Sequence, residues 1–168
     1  MLQLIELFLE QNFTVTFATT TQKTEKAFDL KTIAVDEVSI ELNSSSFDVF
    51  IKELHPTIVV FDRFMMEEQF GWRVAENCPN AIRILDTEDL HCLRKTRQES
   101  LKKEIPFSTD DLLQSKIAKR EIASILRCDL SLIISTFEMK LLETVFKVDK
   151  RILHHLPFLL NKIEKKEI

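Results

Sequence analysis

The chain has 168 residues, 45% of them hydrophobic and 30% charged, with a formal net charge of −4. That length suits one globular domain, and the balance excludes a disordered or collagen-like chain. The acidic surplus argues against a nucleic-acid binder, which needs a basic face or stripe.

No apolar run approaches the roughly 20 residues that span a bilayer, so no integral membrane segment is expected. Segment 1–10 carries Glu6 and Glu10 and lacks a basic leader, so it does not read as a signal peptide. A cytoplasmic location follows as an expectation, with peripheral membrane contact still compatible. Cys78, Cys92 and Cys128 are widely spaced and form no metal-ligand pattern, so reduced, packed thiols are expected and no metal. The one glycine, Gly71, is the most informative count, since average usage gives roughly 12 in this length. A glycine-rich phosphate loop needs several glycines for positive φ and close backbone approach. It cannot exist here, and no cofactor is expected on this chain.

In chain order, Met1–Glu10 carries a broad helical stripe of Leu2, Leu4, Ile5, Leu7, Phe8 and Leu9. Phe13–Ala18 alternates in the strand period, Thr19–Lys26 is a polar loop, and Val38–Leu42 is a second short strand. Ser44–Ser46 offer caps for a helix through Leu54, which Pro56 ends. Thr57–Phe61 (TIVVF) is a continuous apolar run closed by Asp62, as in a strand covered on both faces. Met65–Asn77 is helical, and Ala81–Leu85 is the next strand, closed by Asp86. Glu88–Lys103 and Asp110–Leu126 predict two helices joined at Pro106. Leu130–Ile134, Phe137–Phe146 and Ile152–Leu156 then read as strand, helix and a last short strand.

Alternating helices and strands, several without polar alternation, predict an α/β, Rossmann-like three-layer domain with a mostly parallel sheet. Such domains open on a central strand, whereas here the first element is a helix. The first, central strand is therefore expected to be absent, and the isolated polypeptide to behave poorly.

Ligands of open α/β sheets lie beyond the carboxyl ends of the strands. Three such ends are polar here: Asp62-Arg63; Asp86-Thr87-Glu88-Asp89-Leu90-His91 with Arg94 and Arg97; and Ser135-Thr136 with Glu138. The second is richest. Arg94 follows His91 by three residues and can share its helical face. Asp89, His91 and Arg94 together can both accept from and donate to sugar hydroxyls. Asp86 is better read as a cap of the following helix. Ser135 and Glu138 have the spacing of a capping box. Phe64, Met65, Met66, Phe70 and Trp72 could line an apolar pocket but fit core packing better. Lys116, Lys119, Arg120 and Glu121 read as a solvated helix face, and His154-His155 has no acidic partner in sequence.

The stretch Pro56–Ser100 (PTIVVFDRFMMEEQFGWRVAENCPNAIRILDTEDLHCLRKTRQES), with the helix around Glu121, CDLSLIIS at Cys128–Ser135 and Phe137–Val145, resembles the N-terminal domain of bacterial GT-B fold glycosyltransferases of the retaining, glycogen-synthase-like class. The resemblance implies residues 1–160 as a partial acceptor-binding domain, truncated at both ends. Residues 161–168 would be a charged tail leading to an absent donor domain. It implies transfer from a nucleotide sugar, bound by that second domain, to a sugar or glycan acceptor. His91 would then be the catalytic residue in the acceptor cleft, with Asp89, Arg94, Asp62 and Arg63 binding substrate. Without the donor half, the isolated chain is expected to be inactive. The alternative is a non-catalytic Rossmann-like binding or regulatory module.

Overall fold

The computed structural model describes residues 1–22, 24 and 27–159. Part of the polar loop 19–26 and the tail 161–168 lie outside the described residues. Seven α-helices and six strands occur among the described residues: α1 Leu2–Glu10, β1 Thr16–Thr19, β2 Asp36–Ser39, α2 Ser46–Leu54, β3 Ile58–Asp62, α3 Phe64–Asn77, β4 Ile82–Asp86, α4 His91–Lys102, α5 Thr109–Gln114, α6 Lys116–Arg127, β5 Leu130–Ile133, α7 Thr136–Thr144 and β6 Leu153–His155. Every strand pair is parallel. The chain is thus a Rossmann-like α/β protein, as its alternating pattern predicts.

The strands form two sheets, β1–β2 and β3–β4–β5–β6. Residues Met1–Val49 and Phe50–Pro157 belong to two compact units, with the division falling within α2. In the first unit, Ile5 of α1 is buried with Leu30 and Val35, and Val15 and Phe17 pack against them. β2 begins two residues earlier than the sequence suggests. Its residues Asp36-Glu37-Val38-Ser39 offer little hydrophobic period to fix the boundary.

The second unit holds the four-stranded sheet. Phe61, Leu85, Leu132 and Ile133 are buried in its strands, and Phe64, Phe70 and Val74 of α3 and Ile125 of α6 in the helices around it. Asp62 pairs in register with Asp86, and Asp86 with Leu132, so the carboxyl ends of β3, β4 and β5 lie side by side. All three cysteines are buried and free, as expected. Burial pushes the Cys128 thiol up to about 12, which keeps it protonated and unreactive.

One expected helix is two. Ser115, extended at φ −59° and ψ 132°, separates α5 from α6. No proline or glycine marks the break. α5 opens on Ser108, whose Oγ accepts from Asp110 N–H, whereas α6 opens on Ser115 without a side-chain cap.

The lone glycine serves packing rather than turn geometry. Gly71 lies inside α3, and its φ is not positive. A Cβ there would stand 2.5 Å from Glu67 Oε1. Glu67 is only 3% exposed and its carboxylate is held by the Arg127 guanidinium, so it cannot swing clear. Gly71→Ala gains about 1 kcal/mol of helix propensity against overpacking of roughly 2–3 kcal/mol. Urea unfolding should show a net loss of about 1–2 kcal/mol, and a gain would remove this account of the glycine.

Left-handed backbone falls instead on non-glycine residues, Asn12, Ala34, Asn43, His55, Arg63, Glu88, Glu104 and Lys147. Arg63 is the extreme case. At φ 69° and ψ 156° it occupies a region that is essentially reserved for glycine. Its N–H donates to the Asp86 carbonyl at 2.8 Å, which ties the strained residue to the neighbouring strand end.

Candidate functional site

The site is built where β4 ends and α4 begins. After Asp86 the chain stays anchored to β5, because Thr87 donates through both N–H (3.3 Å) and Oγ1 (2.8 Å) to the Leu132 carbonyl. Glu88 then takes a left-handed φ of 55°, and Asp89 N–H closes a tight turn onto the Thr87 carbonyl at 2.7 Å. This turn sets Asp89 beside the first turn of α4. Its Oδ1 lies 3.4 Å from His91 Nε2 and its Oδ2 3.3 Å from Arg94 Nε. One carboxylate thus lies within ion-pair distance of both the imidazole and the guanidinium. The helical spacing of His91 and Arg94 makes this possible, as the sequence suggests.

The start of α4 is sealed in a way the sequence does not announce. Asp86, expected as its cap, instead accepts from Glu88 N–H at 3.3 Å within the preceding turn. The reason is distance along the chain: three residues, Thr87, Glu88 and Asp89, separate it from Leu90, the residue at the cap position. The helix is capped by two carboxylates from other elements. Leu90 N–H donates to Glu138 Oε1 (3.0 Å), His91 N–H to Glu121 Oε1 (3.0 Å) and Cys92 N–H to Glu121 Oε2 (2.8 Å). Glu121 is 1% exposed. The expectation of a solvated face therefore fails at this residue, which α6 turns inward.

Ser135 caps α7 by accepting from Glu138 N–H at 3.1 Å, and its hydroxyl lies 3.2 Å from Glu138 Oε2. The expected box forms on one side only, because the Glu138 carboxylate reaches across to α4. Burial pushes the Glu121 carboxyl above its ordinary range, outweighing the N–H bonds that favour its charged form. The Asp86 carboxyl is raised for the same reason, burial.

His91, 16% exposed at its side chain, packs edge-on against Phe64 of α3, with ring centroids 5.6 Å apart at 87°. The Arg120 guanidinium stands 5.4 Å from the same Phe64 ring. A cavity of about 490 Å³ opens between these groups, lined by Phe64, Met65, His91, Arg94, Lys95, Gln98, Ile117 and Arg120. Phe64 therefore faces the cavity from the packed interior, Met65 lines it from an exposed position, and Phe70 is buried in the core.

Other candidates lie apart. Asp62 and Arg63 pair with each other, Arg63 Nε to Asp62 Oδ1 at 3.0 Å, and reach the β4 loop at Glu88, 3.9 Å away. They do not line the cavity. Arg97 stacks on Phe107 and Phe137, at 5.7 and 5.0 Å, rather than on the His91 cluster. His154 and His155 are exposed on β6. Among the described residues, no group of three metal-ligating side chains converges, and no helix is long and apolar enough to cross a membrane.

No family model, curated protein or solved structure matches the chain.

The arrangement can hold a small polar ligand by several routes. Imidazole and guanidinium groups donate, the Gln98 amide can donate and accept, and Phe64, Met65 and Ile117 offer apolar contact. Sequence reasoning missed Lys95, Gln98, Ile117, Arg120 and Glu121.

Proposed function

We propose that this chain is the acceptor-binding part of a glycosyltransferase that uses a nucleotide sugar. The observation that carries the reading is that His91 and Arg94, both close to the Asp89 carboxylate, line a cavity at the starts of α3, α4 and α6, beyond the carboxyl ends of parallel strands. That is where open α/β sheets take their ligands. An aromatic wall beside donors and an acceptor is also suited to a sugar ring. The likeness of Pro56–Ser100 to GT-B acceptor domains supports the same reading.

In this proposal His91 contacts the acceptor hydroxyl, and Asp89 fixes the imidazole. Arg94 orients the rest of the acceptor, and a second domain brings the activated sugar. Catalysis would come chiefly from positioning, with charge at the anomeric centre stabilised across the cleft. Asp62 and Arg63, at the adjoining strand end, would meet substrate only if it extends beyond the cavity.

Saturation-transfer NMR with glucose, maltose and glucose 6-phosphate tests the reading. Sugar-ring protons should receive saturation from the protein. His91→Ala should weaken binding by about tenfold or more, the loss expected when a hydrogen bond of more than 1.4 kcal/mol disappears, while the melting curve stays in place. If no sugar ring makes contact, or if His91→Ala binds as before, the acceptor reading falls. A non-catalytic binding module would then be favoured.

A further inference from the structure

We infer that the cavity beside His91 takes a ligand bearing a phosphate monoester. The inference deepens the acceptor reading by naming the ligand's charge, and it rests on the cavity wall rather than on sugar transfer.

The chain as a whole is acidic, at −4, yet Arg94, Lys95 and Arg120 line this cavity without one carboxylate among its lining residues. The carboxylates that steady these cations stand behind them. Asp89 meets Arg94 through Nε at 3.3 Å. Glu68 grips Arg120 through Nε at 2.9 Å and Nη2 at 2.6 Å. Lys95 Nζ lies 3.9 Å from Glu99 Oε1, at the outer limit of an ion pair. These pairs nearly cancel at long range. At contact distance, however, a ligand oxygen in the cavity meets guanidinium and ammonium hydrogens, which favour phosphate through charge-assisted bonds.

The nearby backbone does not compete for the anion. The first N–H groups of α4 are already occupied by Glu121 and Glu138, so side chains must do the binding. The adjoining cavity provides a contrast. It shares Lys95 and Ile117 and adds Lys103 and Lys116, but Glu99 and Asp111 also line it. Its charge is mixed, which confines the anion site to the His91 side. Phe64, Met65 and Ile117 complete a wall suited to the uncharged part of the same ligand.

Isothermal titration of the chain with glucose, glucose 6-phosphate and inorganic phosphate, at fixed ionic strength, tests this. Glucose 6-phosphate should bind at least about tenfold more tightly than glucose, and added salt should erode that margin. Arg94→Gln with Arg120→Gln should collapse the ratio toward one. Lys95→Gln, a single change on an exposed side chain, should reduce it by about threefold; it keeps the test valid if the double variant unfolds. Equal binding of glucose and its phosphate overturns the anion site and leaves the sugar reading standing. Inorganic phosphate binding as well as glucose 6-phosphate supports the anion site and removes the sugar reading. No binding by any of the three, or a margin that survives the substitutions, overturns the inference.

Discussion

Glu121→Ala is expected to lower the unfolding free energy by about 3 kcal/mol, because one buried and one half-buried N–H donor, at roughly 1–3 kcal/mol each, would lose their acceptors. His91 and Cys92 N–H have no substitute nearby, since Glu138 is already engaged with Leu90. The loss should localise. Amide exchange in the first turn of α4 should accelerate more than exchange in β5, where Leu132 and Ile133 are packed independently of the cap.

The pH dependence follows from the sign of the shift. Burial raises the Glu121 carboxyl above its unfolded value, so the folded state binds the extra proton. The associated stability is fully present below the unfolded carboxyl pKa and is lost as pH rises through the raised one. Asp86 contributes in the same direction. Glu121→Gln should therefore flatten, but not abolish, the decline in stability above that window. Denaturant unfolding across the acidic to neutral range checks both points, and an Ala variant as stable as the parent would remove Glu121 from the capping role.

Arg127→Ala is expected to cost about 2–4 kcal/mol, below the 3–5 kcal/mol upper range for breaking a fully buried pair, because the Arg127 side chain is 45% exposed. What makes the change costly is the carboxylate left behind. Glu67 is 3% exposed and sits in α3 over Gly71, with Arg127 Nε donating to its Oε1 at 2.8 Å. Removing both charges with Glu67→Met and Arg127→Met should recover much of the loss, since apolar replacement of a buried pair is often neutral. A double-mutant cycle read by urea unfolding measures the coupling. Additive single losses would mean that the pair is not a structural unit.

Most of the sheet was legible in the sequence because its strands are locally distinct. TIVVF and LSLII are short, largely apolar runs that end at polar residues, and they become β3 and β5. The joining of His91 to Arg94 through Asp89 was legible for a similar reason, since short spacing on one helix fixes who can meet. What stayed hidden depends on contacts between distant segments. Glu121 has the ordinary helix surroundings of Lys119, Arg120 and Ile122, and nothing local says that its carboxylate turns toward an amide 30 residues earlier. The interruption at Ser115 was equally silent, because serine tolerates both helical and extended backbone. Asp86 misled because strand-end aspartates cap helices only when the helix starts at once.

The cross-chain seal on α4 also bears on how the protein emerges during synthesis. Leu90 finds its acceptor 48 positions further on, and at cellular elongation rates that stretch takes about 2–10 s to make. Throughout that interval the Leu90 N–H lacks its acceptor, and until Glu121 is made the His91 and Cys92 N–H groups lack theirs as well, so this end of the helix is completed in two stages. Completion of this part of the molecule is therefore timed by the ribosome's progress toward α7 rather than by the intrinsic speed of helix growth.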